Sequence, residues 1–522
     1  MPDKRIGVFG WGIVAPKAPD IESFAQHLAS AESWLEPFNG FGPDTFMVGQ
    51  PAFDFERYHP WLAERFPPRR FSQIAEKMDT PTLYAIGAFI QALGQNPGIE
   101  KDLRDLGTEA HVYVGVGLGA LPLIHDESLH LYHAQRRWDR FWADPERNPP
   151  LKAHLNGTRD PHAPLDPATG SLDDRDQTES AWWHYWAAKA PGLHDYLVQL
   201  AEIEGLNVEG DIEIGKMRVL KEKSRRTEKL EEAFGAPLPP WKSVSANVLW
   251  NIHNMPAAQI SMIGHITGLT FAPVGACSTF GLALKLGMDA IRRGEAKAVV
   301  VGASDPKPHP LTVGSFYSGR VISADGGVSR PLHGLRGTHV AGGSALWIIG
   351  DYDYFIQKGY KALGLEPVSV GLTSDAHHVI TPTTDGPLAA IRMALDEAQV
   401  NPADFGTWDL HATATPGDYL EVETLRTVMP ASVLVTARKG TFGHGMSGGG
   451  GFELTAQYLG FERGVLFPTP LTEPDLHPTI RGVHDLFVFD KPVPAPKGLA
   501  GKLSMGIGGI NACVVSRRWD DT

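Results

Sequence analysis

Two cysteines occur in the 522 residues, Cys277 and Cys513, so thiol chemistry has two candidates. Cys277 stands in Ala272-Pro-Val-Gly-Ala-Cys-Ser-Thr-Phe-Gly-Leu-Ala-Leu-Lys-Leu-Gly-Met-Asp-Ala-Ile. Small residues precede it and an apolar helical pattern follows at once. Cys277 is therefore expected at a helix N-terminus, where partial positive charge favours the thiolate and lowers the thiol pKa. A buried structural cysteine is the other reading of this segment. Three further segments favour chemistry. Asp409 to Glu421 puts His411 at a strand end, in a loop with Thr413 and Thr415. Arg438 to Glu453 sets Lys439 and His444 five apart in a glycine-rich loop. Ser504 to Asn511 holds three glycines before a strand. One cysteine, two loop histidines and glycine turns that can present backbone N–H groups are the components of acyl transfer.

Other motifs fit less well. Gly445-Met-Ser447-Gly-Gly449 matches G-x-S-x-G, the serine turn of a hydrolase. The residues from Arg438 to Gly445 separate it from the strand before it, so a glycine-rich loop entering a close-packed helix is preferred. Gly10-Trp-Gly12-Ile-Val-Ala15 fits the dinucleotide pattern G-x-G-x-x-A, but Pro16-Lys-Ala-Pro19 follows where a helix should begin. No phosphate-binding G-x-x-x-x-G-K-[ST] is present, and Lys502 in Gly-Leu-Ala-Gly-Lys-Leu-Ser has the wrong spacing. His377-His378 has no further ligand at metal spacing and reads as structural. No metal site is expected.

The elements that must position these residues read as short buried strands alternating with helices. Strands are expected at Ile6–Phe9, with a glycine turn after it, and at Val112–Val116, Ala298–Val301, Ala345–Ile349, Val433–Thr436 and Ala512–Ser516. Tyr84–Leu93 and Leu388–Ala398 carry the clearest helical patterns, each followed by an Asn-Pro turn and an apolar step. That repetition suggests a duplicated α/β unit, although two ordinary αβ steps could look alike. About 126–245 has a different texture, with six of the thirteen tryptophans and a charged helix from Lys216 to Phe234. It reads as an insertion, and its tryptophans argue for a packed core rather than disorder.

Composition bounds the rest. Two cysteines exclude a disulfide scaffold and a four-cysteine metal site. A net charge of −13 argues against nucleic-acid binding. No apolar run reaches the ~18 residues of a membrane span. The start, Lys4-Arg5 followed by an apolar run, reads as a strand rather than a signal peptide, so a cytoplasmic location is expected.

These motifs, in this order, resemble those of the elongating β-ketoacyl-acyl-carrier-protein synthases, the condensing enzymes of fatty-acid and polyketide synthesis. The Cys277 segment is similar to the family's nucleophile motif, and His411-Ala-Thr-Ala-Thr-Pro-Gly-Asp418 to its H-G-T-S-T-P-x-G-D with one residue missing. Lys439 to Glu453 resembles K-S-x-x-G-H-x-x-G-A-A-G-x-x-E, and Gly506 to Asn511 resembles G-F-G-G-T-N. The resemblance covers roughly 1–125 and 245–522. It implies a thiolase-like fold of two duplicated α/β halves in five layers, 1–350 with the insertion and 351–522.

The resemblance further implies an acyl thioester on Cys277 and a malonyl thioester decarboxylated before His411 and His444. The oxyanion would lie on the backbone N–H groups of Cys277 and Ile507. Lys439 and Glu453 would support the histidines, and Thr413, Thr415 and Ile507 would line the substrate path. The partners implied are acyl carrier protein, acyl and malonyl thioesters and a second copy of the chain. No cofactor is implied beyond the phosphopantetheine that carries the substrates on carrier protein or CoA. A decarboxylating or priming variant and a non-catalytic partner subunit are the alternatives on this fold. Two departures stand out: Ile507 replaces the family's gate phenylalanine, and 330–344 lacks its two acids and its glutamate.

Overall fold

The computed structural model describes residues 4–519 except 44, 170, 172, 209–211 and 335, with only the backbone at 213 and 214. The chain divides into two compact units, 1–122 with 249–522, and 123–248.

The larger unit contains two five-stranded sheets. Their strands are β1 (Ile6–Val14), β2 (Ala110–Gly115), β3 (Thr270–Phe271), β4 (Ala298–Asp305), β5 (Gly343–Asp351), β6 (Glu366–Ser374), β7 (Phe405–Asp409), β8 (Leu434–Thr436), β9 (Leu499–Gly506) and β10 (Ile510–Arg517). One sheet has the order β1-β5-β4-β2-β3, the other β6-β10-β9-β7-β8. Each strand of the second is the matching strand of the first, five places later in the chain. The directions agree too. The β1–β5 and β5–β4 pairs are antiparallel while β4–β2 and β2–β3 are parallel, and the second sheet repeats this pair for pair. The internal repeat suggested by the two Asn-Pro steps is a duplication of a whole α/β half.

Five helices matter for the site: α1 (Thr80–Gly94), α2 (Thr279–Arg292), α3 (Asp385–Ala398), α4 (Gly417–Val428) and α5 (Gly449–Glu462). Helices α2 and α5 lie between the sheets. Phe280, Leu284, Met288 and Ile291 of α2 fall at helical spacing and share one buried core with Phe452 and Tyr458 of α5, Trp347 of β5 and Val514 of β10. Each such side chain contributes about 1.5–3 kcal/mol on burial, which fixes α2 and the turn before it against both sheets. Helix α1 covers the outer face of the first sheet and α3 that of the second.

The strand begun at Ile6 does not end in a glycine turn. It runs on through Gly10 and Gly12 to Val14, paired with β5 on both sides of a bulge at Phe9. An added Cβ on Gly10 would lie 2.4 Å from the carbonyl oxygen of Ala92, and one on Gly12 would lie 1.8 Å from that of Ala88. These glycines exist so that α1 can rest directly on the strand. Three strands not expected from the sequence, β3, β6 and β9, complete the sheets.

The unit 123–248 is helical and has its own core of Trp138, Trp142, Trp182, Trp186, Tyr196 and Leu230. Asn148 is fully buried within it. Its amide donates to the carbonyls of Trp142 at 3.1 Å and Trp186 at 2.7 Å, and its oxygen accepts from Leu151 N–H. The charged helix runs from Ile212 to Phe234. Among the described residues, no helix is long and apolar enough to cross a membrane.

Candidate active site

Cys277 sits in a single 3-10 turn, Ala276–Ser278, that leads straight into α2. Ala276 has φ +48°, a left-handed backbone that turns the chain sharply before the cysteine. The Ser278 hydroxyl donates to the carbonyls of Ser504 at 3.1 Å and Ile510 at 2.8 Å, tying this turn to the β9–β10 hairpin. A Cβ on Gly506 would lie 2.7 Å from Gly275 O, so only glycine lets the hairpin tip approach. The result is that the backbone N–H groups of Ile507 and of Cys277 itself both favour the ionised form of the thiol.

The thiol does not have the lowered pKa expected of a helix start. Burial pushes it up to about 11, and the two N–H donors and the Lys439 charge only partly oppose this. The position at the helix start is as expected; the enclosure of the sulfur reverses its consequence.

His411 follows β7. The Lys439 ammonium donates to the His411 carbonyl and lies 3.3 Å from Nδ1. An ammonium has only donors, so Nδ1 must be the acceptor and the ring proton must sit on Nε2. The loop that carries the ring is held by two carboxylates one turn apart on α4. Glu421 accepts from the N–H groups of His411 at 2.6 Å and Ala412 at 2.8 Å. Asp418 accepts from Thr413 at 2.7 Å, Ala414 at 3.0 Å and Leu332 at 2.9 Å. Burial raises Asp418 to about 6 and Glu421 to about 7. Neither carboxylate was expected from the sequence as part of the site. Their spacing, Asp418-x-x-Glu421 at the start of a helix after the histidine loop, was the available signal.

His444 packs edge-on against His411, with ring centres 5.4 Å apart. Its Nδ1 faces Gly449 at the start of α5, where an added Cβ would lie 3.3 Å away. Both imidazoles are held well below their ordinary pKa, first by burial and then by the cations Lys439 and Lys502. They are neutral at physiological pH.

Cys277, His411, His444, Thr413, Thr415 and Ile507 line one pocket. The hydroxyls of Thr413 and Thr415 lie 2.9 Å apart on its wall, and Ile507 at the hairpin tip is 41% exposed. Asp375 closes one side by accepting from Asn511 Nδ2 at 2.7 Å and from Thr383 N–H at 3.0 Å. Lys439 and Glu453 stand behind His411, their charged atoms 2.5 Å apart.

A buried charge network extends from that pair. Lys502 lies 2.8 Å from the second oxygen of Glu453 and 3.6 Å from Asp409, which in turn meets Arg438 at 2.8 Å. All five side chains are at most 2% exposed. Burial raises the Asp409 pKa. Burial also pulls on Lys502 in the opposite sense, but Glu453 and Asp409 outweigh it and hold Lys502 above its ordinary value.

Ser447 is not placed as a hydrolase nucleophile. Its hydroxyl and N–H both donate to Asp305, the hydroxyl accepts from Gly117 N–H at 3.2 Å, and the side chain is buried. His378 Nδ1 accepts from the N–H groups of Ile380 and Thr381 and so shapes its own loop. Cys513 is fully buried in β10.

With this geometry in place, two segments of the chain match known family models. Residues 225–348 match the model of the beta-ketoacyl synthase N-terminal domain and 366–472 that of the C-terminal domain. Cys277 lies in the first; His411, Lys439, His444 and Glu453 lie in the second. The chain is 29% identical over 279 residues to a 3-oxoacyl-[acyl-carrier-protein] synthase homolog of Saccharomyces cerevisiae, covering 51% of this chain and 63% of that protein. It is 29% identical over 228 residues to nodulation protein E of Rhizobium leguminosarum bv. trifolii, covering 42% and 55%. The chain thus spans less than two thirds of the length of these relatives. In fold it is similar to the ishigamide ketosynthase/chain length factor, at TM-score 0.68 and 18% identity over 99% of this chain and 100% of that one. It is likewise similar to a β-ketoacyl synthase from Burkholderia phymatum, at TM-score 0.64 and 16% identity over 99% of each. Duplicated sheets, two segments that match the beta-ketoacyl synthase N- and C-terminal domain models in that order, and a shared fold together make this chain similar to the β-ketoacyl synthases, with the thiolase-like fold of the solved ketosynthases.

Proposed function

We propose that the chain is a β-ketoacyl-acyl-carrier-protein synthase acting in fatty-acid or specialised lipid or polyketide synthesis. The observation that carries this reading is the meeting of Cys277 and two neutral histidines in one pocket. The Cys277 thiol attacks an acyl thioester, the acyl group moves to sulfur, and the proton leaves with the departing carrier thiol. Because the thiol rests protonated, its attack needs help from the N–H groups of Cys277 and Ile507, which hold the oxyanion that forms. A malonyl thioester then binds. Its bond to the carboxylate breaks, CO2 leaves, and the electron pair becomes an enolate. Neutral His411 and His444 donate from Nε2 to the enolate oxygen. The carbanion attacks the acyl-Cys277 carbonyl, the sulfur leaves and takes up a proton, and a β-ketoacyl thioester remains.

In this reading Lys439 fixes the tautomer of His411, Glu453 fixes Lys439, and Thr413 and Thr415 hydrogen-bond the phosphopantetheine arm. The partners are acyl carrier protein, whose acidic surface suits the basic residues of Ile212–Phe234, and a second copy of the chain. The chemistry needs no resident cofactor or metal, since carrier protein or CoA brings the thioester. Free thiols at Cys277 and Cys513 suit a reducing compartment, such as the cytoplasm.

The test is incubation with an acyl thioester donor and malonyl-carrier protein. A β-ketoacyl thioester with stoichiometric CO2 is expected. CO2 without that product would make the protein a decarboxylase, and release of neither CO2 nor a β-ketoacyl product would overturn the proposal.

A further inference from the structure

Lys502 has no part in the proposed steps, yet it is a lysine with no solvent contact in the middle of a sheet. Its ammonium donates to the carbonyls of Leu410 at 3.3 Å and Leu503 at 2.5 Å and ion-pairs with Glu453 Oε2 at 2.8 Å. Lys439 mirrors it on the other oxygen of the same carboxylate and donates to the carbonyl of the next residue, His411. Two lysines thus straddle one carboxylate and grip consecutive carbonyls at the end of β7.

We propose that Lys502 is a positioning residue for His411: with Lys439 and Glu453 it clamps the 410–411 backbone and holds the imidazole acceptor against Lys439. This rests on the proposed condensing function. The pairing supports it. Arg438, Lys439 and Lys502 face Asp409, Glu453 and Glu421, and Glu453 is shared between the two lysines, so loss of Lys502 leaves Lys439 alone on that carboxylate. The other groups around that ring are His444, Cys277 across the pocket, and Glu421 and Asp418, whose oxygens are taken by backbone N–H groups. Protonating Nδ1 would set a second donor against the Lys439 ammonium and turn the ring away. Without Lys502 the Leu410 carbonyl loses its donor and one of the cations opposing a second ring proton is gone, so the His411 pKa should rise toward its ordinary value, with burial and Lys439 still opposing.

The test has two readouts on the full chain: wild type, Lys502→Gln, Lys502→Met and Lys502→Arg. In the first, histidines carry a 13C label, His411 is assigned by loss of its signal in His411→Gln, and spectra are recorded from pH 5 to 8. The expected result is no titration of His411 in wild type or Lys502→Arg, and a midpoint shifted upward into the recorded range in the neutral variants. In the second, the ratio of malonyl-thioester decarboxylation at pH 6 to that at pH 8 should fall by at least about threefold in the neutral variants only. A wild-type His411 that titrates at its ordinary ~6.5 overturns the proposal, even if neither neutral variant folds. So does a folded Lys502→Gln or Lys502→Met whose His411 and pH profile match wild type. The expected spectra without any decarboxylation would leave Lys502 in its role and remove the condensing function instead.

Discussion

Cys277 and Ser447 occupy equivalent places in the two halves of the molecule. Each is the middle residue of a single 3-10 turn, each follows a residue with φ +48°, and each leads into one of the two central helices. Duplication therefore built two nucleophile positions, and the environment separated them. The cysteine opens into the pocket between the halves' loops, and the serine is spent on Asp305.

Ser447→Ala should therefore leave acyl transfer within a few-fold of wild type. It should also cost about 1–2 kcal/mol of stability, because Asp305 keeps its backbone donors but loses a hydroxyl. Urea unfolding and a turnover assay on the same preparation check this. Loss of activity by more than about a hundredfold in a folded variant would return Ser447 to the chemistry.

Alkylation of Cys277 should follow a thiol with a pKa near 11. Iodoacetamide reacts with the thiolate, so its rate should rise about tenfold per pH unit from 7 to 10 with no plateau. Cys513 is enclosed and should stay unmodified as an internal control. A plateau between pH 8 and 9 would show that the helix start governs the thiol after all.

His411→Ala and His444→Ala should split the reaction. Both remove a donor to the enolate, so decarboxylation should fall about 10²–10³-fold, while acyl loading of Cys277 stays within about tenfold. Single-turnover loading and CO2 release measured separately distinguish the two. Equal loss of both steps would point to collapse of the pocket.

Gly12→Ala should destabilise the protein by more than about 3 kcal/mol, since the new Cβ would fall 1.8 Å from a helix carbonyl of α1. The measurement is the shift in urea midpoint. A neutral effect would mean that α1 does not rest on β1.

The residues that meet substrate in the proposed chemistry were legible because each lies in a short segment with its own signature. Cys277 opens a helix, and His411 and His444 lie in loops of small residues. Their supports were not, because they come from distant segments joined only by strand pairing. Lys502 reads only as a lysine wrongly spaced for a phosphate loop until β9 lies beside β7 and brings it to Glu453 and Leu410. Asp418 and Glu421 read only as the polar end of the histidine loop until α4 turns their oxygens back onto its N–H groups. Gly10 and Gly12 were misread as a turn because a glycine in a strand signals flexibility locally, whereas its reason here is a helix whose carbonyls at Ala88 and Ala92 lie about 80 places further along the chain. The thiol pKa was misjudged for a related reason: a helix start is visible in sequence and the enclosure of a sulfur atom is not.

Intact-mass measurement after exposure to an acyl thioester donor, followed by peptide mapping, tests the central claim most directly. The predicted result is one acyl adduct on Cys277, absent in Cys277→Ala and discharged as a β-ketoacyl product when malonyl-carrier protein is added. An adduct on Ser447, or a Cys277 adduct that malonyl-carrier protein never discharges, would contradict it.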